Sequence, residues 1–283
     1  MATLYRTADG ERRVRAWCRD RLASWAVPHR TSTTGTSLGP THLVEAGDGD
    51  TVCVYLPGTN FNAATSLGVL GALAARCRVV AADLPGQPGL SSSTRPRPET
   101  EGYARWLGEL LDAVRADHPD DRLVLAGHSR GAAVALSGPL AVDRLVLVSP
   151  AGVAPVRMSS GILRTALPWM VRPTPTRSQA LLQLMSGTDA EPDPALVAWM
   201  TLVARDSRST GAPGPLPDDL LSRWRGHDVV LAVGSHDCFF PPDRLRPGAQ
   251  ARLGVGVEVL AGRGHLAVEE APEAVAELVT TRR

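Results

Sequence analysis

Short apolar runs punctuate the chain at 41–46, 51–56, 78–82, 122–126, 143–149, 228–233 and 254–260. Most are continuous in Val, Leu and Ala rather than alternating, the pattern of strands covered on both faces. Between them the spacing predicts helices over 63–76, 99–118, 131–140, 242–253 and 266–281. Strand and helix in alternation predict an α/β fold, a mostly parallel central sheet flanked by helices. Ahead of the first run, residues 10–26 place Val14, Trp17, Cys18, Leu22 and Trp25 on one helical face, with Arg12, Arg13, Arg15, Arg19 and Arg21 around the rest. Such a stripe is expected to pack on the main domain, although an Arg- and Trp-bearing helix also suits a membrane surface or a second subunit. Residues 28–39 read as a loop.

One region breaks the alternation. From 151 to 225 there is no clear strand, and proline-punctuated helical segments are expected at 158–170, 176–185, 194–205 and 217–225. The expected organisation is an N-terminal helical segment at 1–30, a core at 31–150 and 226–283, and a helical cap at 151–225.

Composition narrows the chemistry. At 283 residues the chain can bury a substantial core, and a formal charge of +1 leaves no field suited to nucleic acid. All 30 basic residues are Arg, so no lysine is present for Schiff-base chemistry. Cys18, Cys53, Cys77 and Cys238 are widely spaced and read as reduced, mostly buried thiols rather than a disulfide or zinc framework. No run approaches the roughly 20 apolar residues of a membrane span. The first residues carry no apolar signal region, so the expected location is cytoplasmic.

The run at 122–126 continues as Gly127-His128-Ser129-Arg130-Gly131 and then small apolar residues. Strand, tight turn and helix around G-x-S-x-G form a nucleophile elbow, with glycines where a strained turn tolerates no side chain. The run at 51–56 leads into Pro57-Gly58-Thr59-Asn60-Phe61. Loops at the carboxyl ends of parallel strands gather at the ligand site, so the backbone N–H groups of Thr59 and Arg130 are the expected oxyanion donors. Asp237 follows the run at 228–233, and His265 sits in the glycine-rich loop after 254–260. The order Ser129, Asp237, His265 is that of a nucleophile-first triad on such a sheet. Asp143 precedes its strand and Asp83 opens a Pro-Gly turn, so neither fits the acid. His29, His42, His118 and His227 read as solvated or structural, and His236 lacks a way to reach Ser129 through its neighbour Asp237.

On these residues the chain resembles the α/β-hydrolase superfamily, from about Thr41 to the C-terminus. The likeness rests on Gly127–Gly131, Asp83-Leu84-Pro85-Gly86, Asp237 and Gly264-His265; the lead-in from Gly39 to Gly47 is similar to that of bacterial carboxylesterase-like members. It implies the α/β-hydrolase fold with a helical cap inserted after the sixth strand. Serine at the elbow argues against dehalogenase or epoxide-hydrolase chemistry, whose relatives use Asp there. Two departures stand out: Pro57 replaces the usual His before the oxyanion-loop glycine, and the turn from Asp83 to Ser91 is one residue longer than the commoner pattern.

Apart from Met1, every methionine (Met158, Met170, Met185, Met200) lies in the inserted region, with Trp169, Trp199 and Trp224. Phe61, Phe239 and Phe240 flank the site loops. These side chains suit an adaptable apolar pocket or, equally, the cap's own core. The expected substrate contacts are Asn60, Phe61, His128, Trp169, Met170, Met200, Phe239 and Phe240. The favoured reading is a serine hydrolase of carboxylic esters, lactones or thioesters with an apolar acyl part. It works without cofactor or metal on a small molecule, as monomer or homodimer. A lyase, cyclase or acyl transferase with the same triad, and a binding protein without turnover, are the alternatives.

Overall fold

The computed structural model describes residues 4–188, 191–208, 211 and 213–281. The chain opens with α1 (Ala8–Ala23), then β1 (His29–Thr36), β2 (Gly39–Ala46) and β3 (Thr51–Leu56). A 3-10 turn (Ala63–Thr65), α2 (Leu67–Ala74), β4 (Arg78–Ala82) and α3 (Glu99–Asp117) follow. Next come β5 (Arg122–His128), α4 (Arg130–Ser137) and β6 (Arg144–Val148), then four helices: α5 (Ser160–Val171), α6 (Pro175–Met185), α7 (Pro194–Asp206) and α8 (Asp218–Ser222). The chain closes with β7 (Val229–Gly234), α9 (Pro242–Gly248), β8 (Glu258–Leu260), α10 (Ala267–Glu270) and α11 (Pro272–Thr280).

The strands form one eight-stranded sheet in the order β1-β2-β4-β3-β5-β6-β7-β8. β2 runs antiparallel to both neighbours, and every pairing from β4 to β8 is parallel. This is the α/β-hydrolase fold. Successive strand residues face opposite layers. Cys53, Tyr55, Val124 and Ala126 join a cluster with α1, α2, α11 and parts of α6 and α7, whereas Val52, Val54, Leu123 and Leu125 join one with α3, α4 and α8. The continuous apolar runs are therefore continuous because both faces are covered.

The expected loop at 28–39 is a correction: most of it is β1. His-Arg-Thr-Ser-Thr-Thr-Gly-Thr contains no large apolar residue because β1 is a largely exposed edge strand. Its pairing with β2 runs from His29↔Ala46 to Thr36↔Gly39, and β-branched threonines suit that extended backbone. The last two expected helices are also broken. Pro247 lies near the point where α9 widens into a π turn at Ala249–Leu253, and Pro272 restarts the chain as α11. The expected helix at 63–76 divides at Ser66, between the 3-10 turn, which Asn62 and Thr65 hold in a capping box, and α2.

α1 packs on α7 as well as on the main layer. Val14, Cys18 and Leu22 are buried, and the Trp17 ring lies 4.7 Å from that of Trp199 on α7. Thr7 caps α1 by accepting the Gly10 N–H, and Arg13 pairs with the buried Asp206 at the end of α7.

Candidate active site

Ser129 stands between β5 and α4 with φ 50° and ψ −110°, a positive-φ conformation that costs a non-glycine residue about 1–3 kcal/mol. Close packing holds it there. A Cβ on Gly127 would stand 2.6 Å from the Ala132 nitrogen, and one on Gly131 would overlap the Leu56 carbonyl of β3. The Ser129 carbonyl accepts from Ala132, Ala133 and Ala151 N–H groups, and its own N–H donates to Val148 in β6. The hydroxyl is thus presented above the carboxyl ends of the strands.

Two other strand ends supply its partners. Asp237, just past β7, accepts Phe239 and Phe240 N–H groups on Oδ1, each at 2.8 Å, and lies 2.9 Å through Oδ2 from His265 Nδ1. A carboxylate only accepts, so the imidazole carries its proton on Nδ1 and Nε2 accepts from the Ser129 hydroxyl at 3.1 Å. Burial pushes the Asp237 carboxyl up, but the electrostatic pull of the adjoining His265 imidazole, its hydrogen bond and the Phe240 N–H outweigh it and hold the group below its ordinary range. Phe239 meets the imidazole edge to face at 4.8 Å. Burial pushes the neighbouring Cys238 thiol up to about 12, so it offers no thiolate near neutral pH.

His128 faces the loop Pro57–Phe61. It is buried, its Nε2–H donates to the His265 carbonyl at 2.9 Å, and its Nδ1 would stand 3.0 Å from a Cβ on Gly58. Burial, reinforced by the electrostatic effect of the nearby His265, lowers its pKa to about 3, so it stays neutral. An imidazole therefore packs on this loop despite Pro57, entering from β5 instead of from the preceding position.

Further braces on the same loop had no local signal in the sequence. The Asn60 N–H donates to Gln87 Oε1 at 3.1 Å, and the Trp199 indole donates to the Asn60 carbonyl at 2.7 Å. Asp83, set aside as the acid, accepts the Ala63 N–H at 2.9 Å and the Leu90 N–H at 2.8 Å. The buried guanidinium of Arg130 donates to Thr59 Oγ1 at 3.1 Å and also contacts the Glu99 carboxylate and the Gly211 carbonyl. Arg130 thus bears on the site through its side chain as well as through its place at the head of α4. Glu270 accepts the Gly264 N–H at 2.6 Å and also the Gly187 N–H, tying the His265 loop to the end of α6.

Above Ser129 lies a mainly apolar cavity of about 350 Å³. Asn60, Phe61, His128, Trp169, Met200, Phe239 and Phe240 line it, with Thr59 and Gly58 at the loop. Met170 is a correction: it stands exposed on the other side of α5, because one helical step from Trp169 turns it away from the cavity. Ile162 and Ala166 line the wall instead, at the helical spacing that leads to Trp169, and Val156, Met158, Leu181 and Met185 add to it. The competing histidines lie elsewhere: His236 is exposed and bonded to Ser235, while His118, His42 and His227 sit beside Asp121, Asp83 and Trp224. Among the described residues the cysteines are free, no cluster of metal-ligating side chains is present, and no helix is long and apolar enough to cross a membrane.

The sequence model of the alpha/beta hydrolase family matches residues 53–278. A dihydrolipoyllysine-residue acetyltransferase component of the acetoin cleaving system from Pseudomonas putida is 31% identical over 250 residues, 81% of this chain. The chain spans 62% of that relative's length. Carboxylesterase YbfK of Bacillus subtilis is 23% identical over 91% of this chain and 89% of its own. In structure, the naproxen esterase (carboxylesterase NP) of Bacillus subtilis superposes with a TM-score of 0.76 at 20% identity, covering 96% of this chain and 97% of its own.

Proposed function

The chain belongs to the alpha/beta hydrolase family, and from that premise we propose that it is a serine hydrolase of carboxylic esters, lactones or thioesters with an apolar acyl part. The observation that carries this reading is the hydrogen-bonded line Ser129–His265–Asp237 at the floor of an apolar cavity. His265 takes the proton of Ser129 as its oxygen attacks the substrate carbonyl, and Asp237 holds the tautomer and stabilises the imidazolium. The N–H groups of Thr59 and Arg130 receive the oxyanion, each contributing roughly 2.7–4 kcal/mol in the transition state. His265 then protonates the leaving group, and water activated by the same imidazole releases the acyl group. Asn60, Phe61, Trp169, Met200, Phe239 and Phe240 hold the acyl chain, under a cap formed by residues 151–225. The carboxylesterase names of YbfK and the naproxen esterase point the same way.

A panel of nitrophenyl esters of rising chain length tests the reading. Wild type is expected to turn them over and to prefer chains that fill the cavity. Ser129→Ala is expected to lose on the order of 10³-fold or more in kcat. Ester turnover that survives in Ser129→Ala, or none in wild type, sinks the proposal.

The acetyltransferase named among the relatives favours a second reading, in which an alcohol or thiol accepts the acyl group in place of water. Turnover in ¹⁸O-labelled water separates the two: label in the released acid supports hydrolysis, and an unlabelled acyl adduct of the added acceptor supports transfer.

A further inference from the structure

α5 is apolar on more of its circumference than the protein covers. Ile162, Ala166 and Trp169 face the cavity, while Leu163 (41% exposed), Leu167 (54%), Met170 (54%) and Val171 (83%) form a second stripe facing outward. Their spacing, i, i+4, i+7 and i+8, puts them on one side of the helix. Among the described residues, all the large apolar side chains that stand exposed, save Val259, lie between Met158 and Val171. A helix apolar nearly all round ordinarily lies in a core, and a clustered exposed patch of this kind marks an interaction surface.

The charge around the patch selects its partner. No Asp or Glu occurs between Asp143 and Asp189, while Arg157, Arg164, Arg172 and Arg177 flank the stripe in a chain whose net charge is only +1. Arg157, Arg164 and Arg172 are exposed. Arg177 folds back on the carbonyls of Pro168 and Arg172, at the end of α5 that carries Val171. Apolar side chains flanked by guanidiniums, in a stretch of chain that carries no acidic residue, match an anionic lipid surface, into which the stripe inserts while the cations meet the headgroups. The surface is also continuous with the cavity, because Met158 is both exposed and part of the cavity wall.

We propose that α5 docks the protein on anionic lipid surfaces, through Leu163, Leu167, Met170 and Val171 with Arg157, Arg164 and Arg172 at the rim. An apolar substrate dissolved in such a surface then passes Met158 into the cavity without crossing water. Docking does not depend on turnover, so its test stands apart from the esterase reading.

The experiment is co-sedimentation with phosphatidylglycerol vesicles, with phosphatidylcholine vesicles as the uncharged comparison. Wild type is expected to partition onto phosphatidylglycerol and to be released as salt is raised. Leu163→Ser/Leu167→Ser/Val171→Ser is expected to lose about tenfold or more in partition coefficient, and Arg164→Gln/Arg172→Gln several-fold. Near-UV circular dichroism and the thermal midpoint of each variant show that the fold is retained. Three results overturn the proposal: no wild-type sedimentation with phosphatidylglycerol, equal partition of the folded triple variant, or equal binding to both lipids. Sedimentation velocity adds one more. A wild-type dimer that the triple variant dissolves, without vesicle binding, makes the patch a contact between two copies of this chain.

Discussion

Glu269 carries a carboxyl whose Oε1 is buried without a hydrogen-bond partner among the described residues. Burial, and then the charge of Asp193, push its pKa up from 4.5 to about 8, against a smaller opposing pull from Arg21. Its folded pKa lies above its unfolded one, so its contribution to stability is fully present below about pH 4.5 and is lost as pH rises towards about 8. Glu269→Gln keeps the shape and removes the ionisation. The variant is expected to raise the thermal midpoint at pH 8 relative to wild type and to leave it nearly unchanged at pH 4, read by calorimetry at both. An equal shift at both pH values would show that the carboxyl does not titrate in this window. At the same scale, Ser129, Asp237 and His265 are legible as candidates because each sits in the short loop or turn that closes an apolar run. Gln87, Glu270 and the Arg130 side chain are not, because their partners lie far along the chain and nothing local marks them.

The elbow owes its sharpness to contact between elements. α4 lies so close on β3 that a methyl at Gly131 has no room beside the Leu56 carbonyl. Backbone cannot yield as a flexible side chain can, so Gly131→Ala is expected to destabilise the fold by about 3 kcal/mol or more, measured by urea denaturation. An unchanged midpoint would contradict the close approach. Element type was readable wherever a covered face left an apolar pattern. β1 escaped because an edge strand of threonines has no such face, and the breaks at Ala271 and within 63–76 came from caps and prolines acting inside apolar runs. The phase of α5 escaped as well. Apolar residues fill two of its sides, so only the fold selects Trp169 for the cavity and leaves Met170 outside.

Across the whole molecule, α1 is tied to the site through two contacts in series. Trp17 packs on Trp199, and the Trp199 indole donates to the Asn60 carbonyl in the proposed oxyanion loop. Trp17→Ala is expected to cost about 2 kcal/mol, less than a fully buried tryptophan because Trp17 is half-buried. If Trp199 transmits the loss, kcat on esters also falls several-fold with little change in KM; a stability loss with kcat unmoved would confine α1 to a structural role. The alternation of strand and helix, the glycine-flanked serine and the order of its candidate partners can all be read along the chain. These are local properties, set by periodicity and by which residues a tight turn tolerates. Packing in three dimensions sets which side chains brace the 57–61 loop, which face of α5 meets the cavity, and how the N-terminal helix reaches the site through α7. Such contacts depend on sheet order and on packing between distant segments, and a linear pattern carries neither.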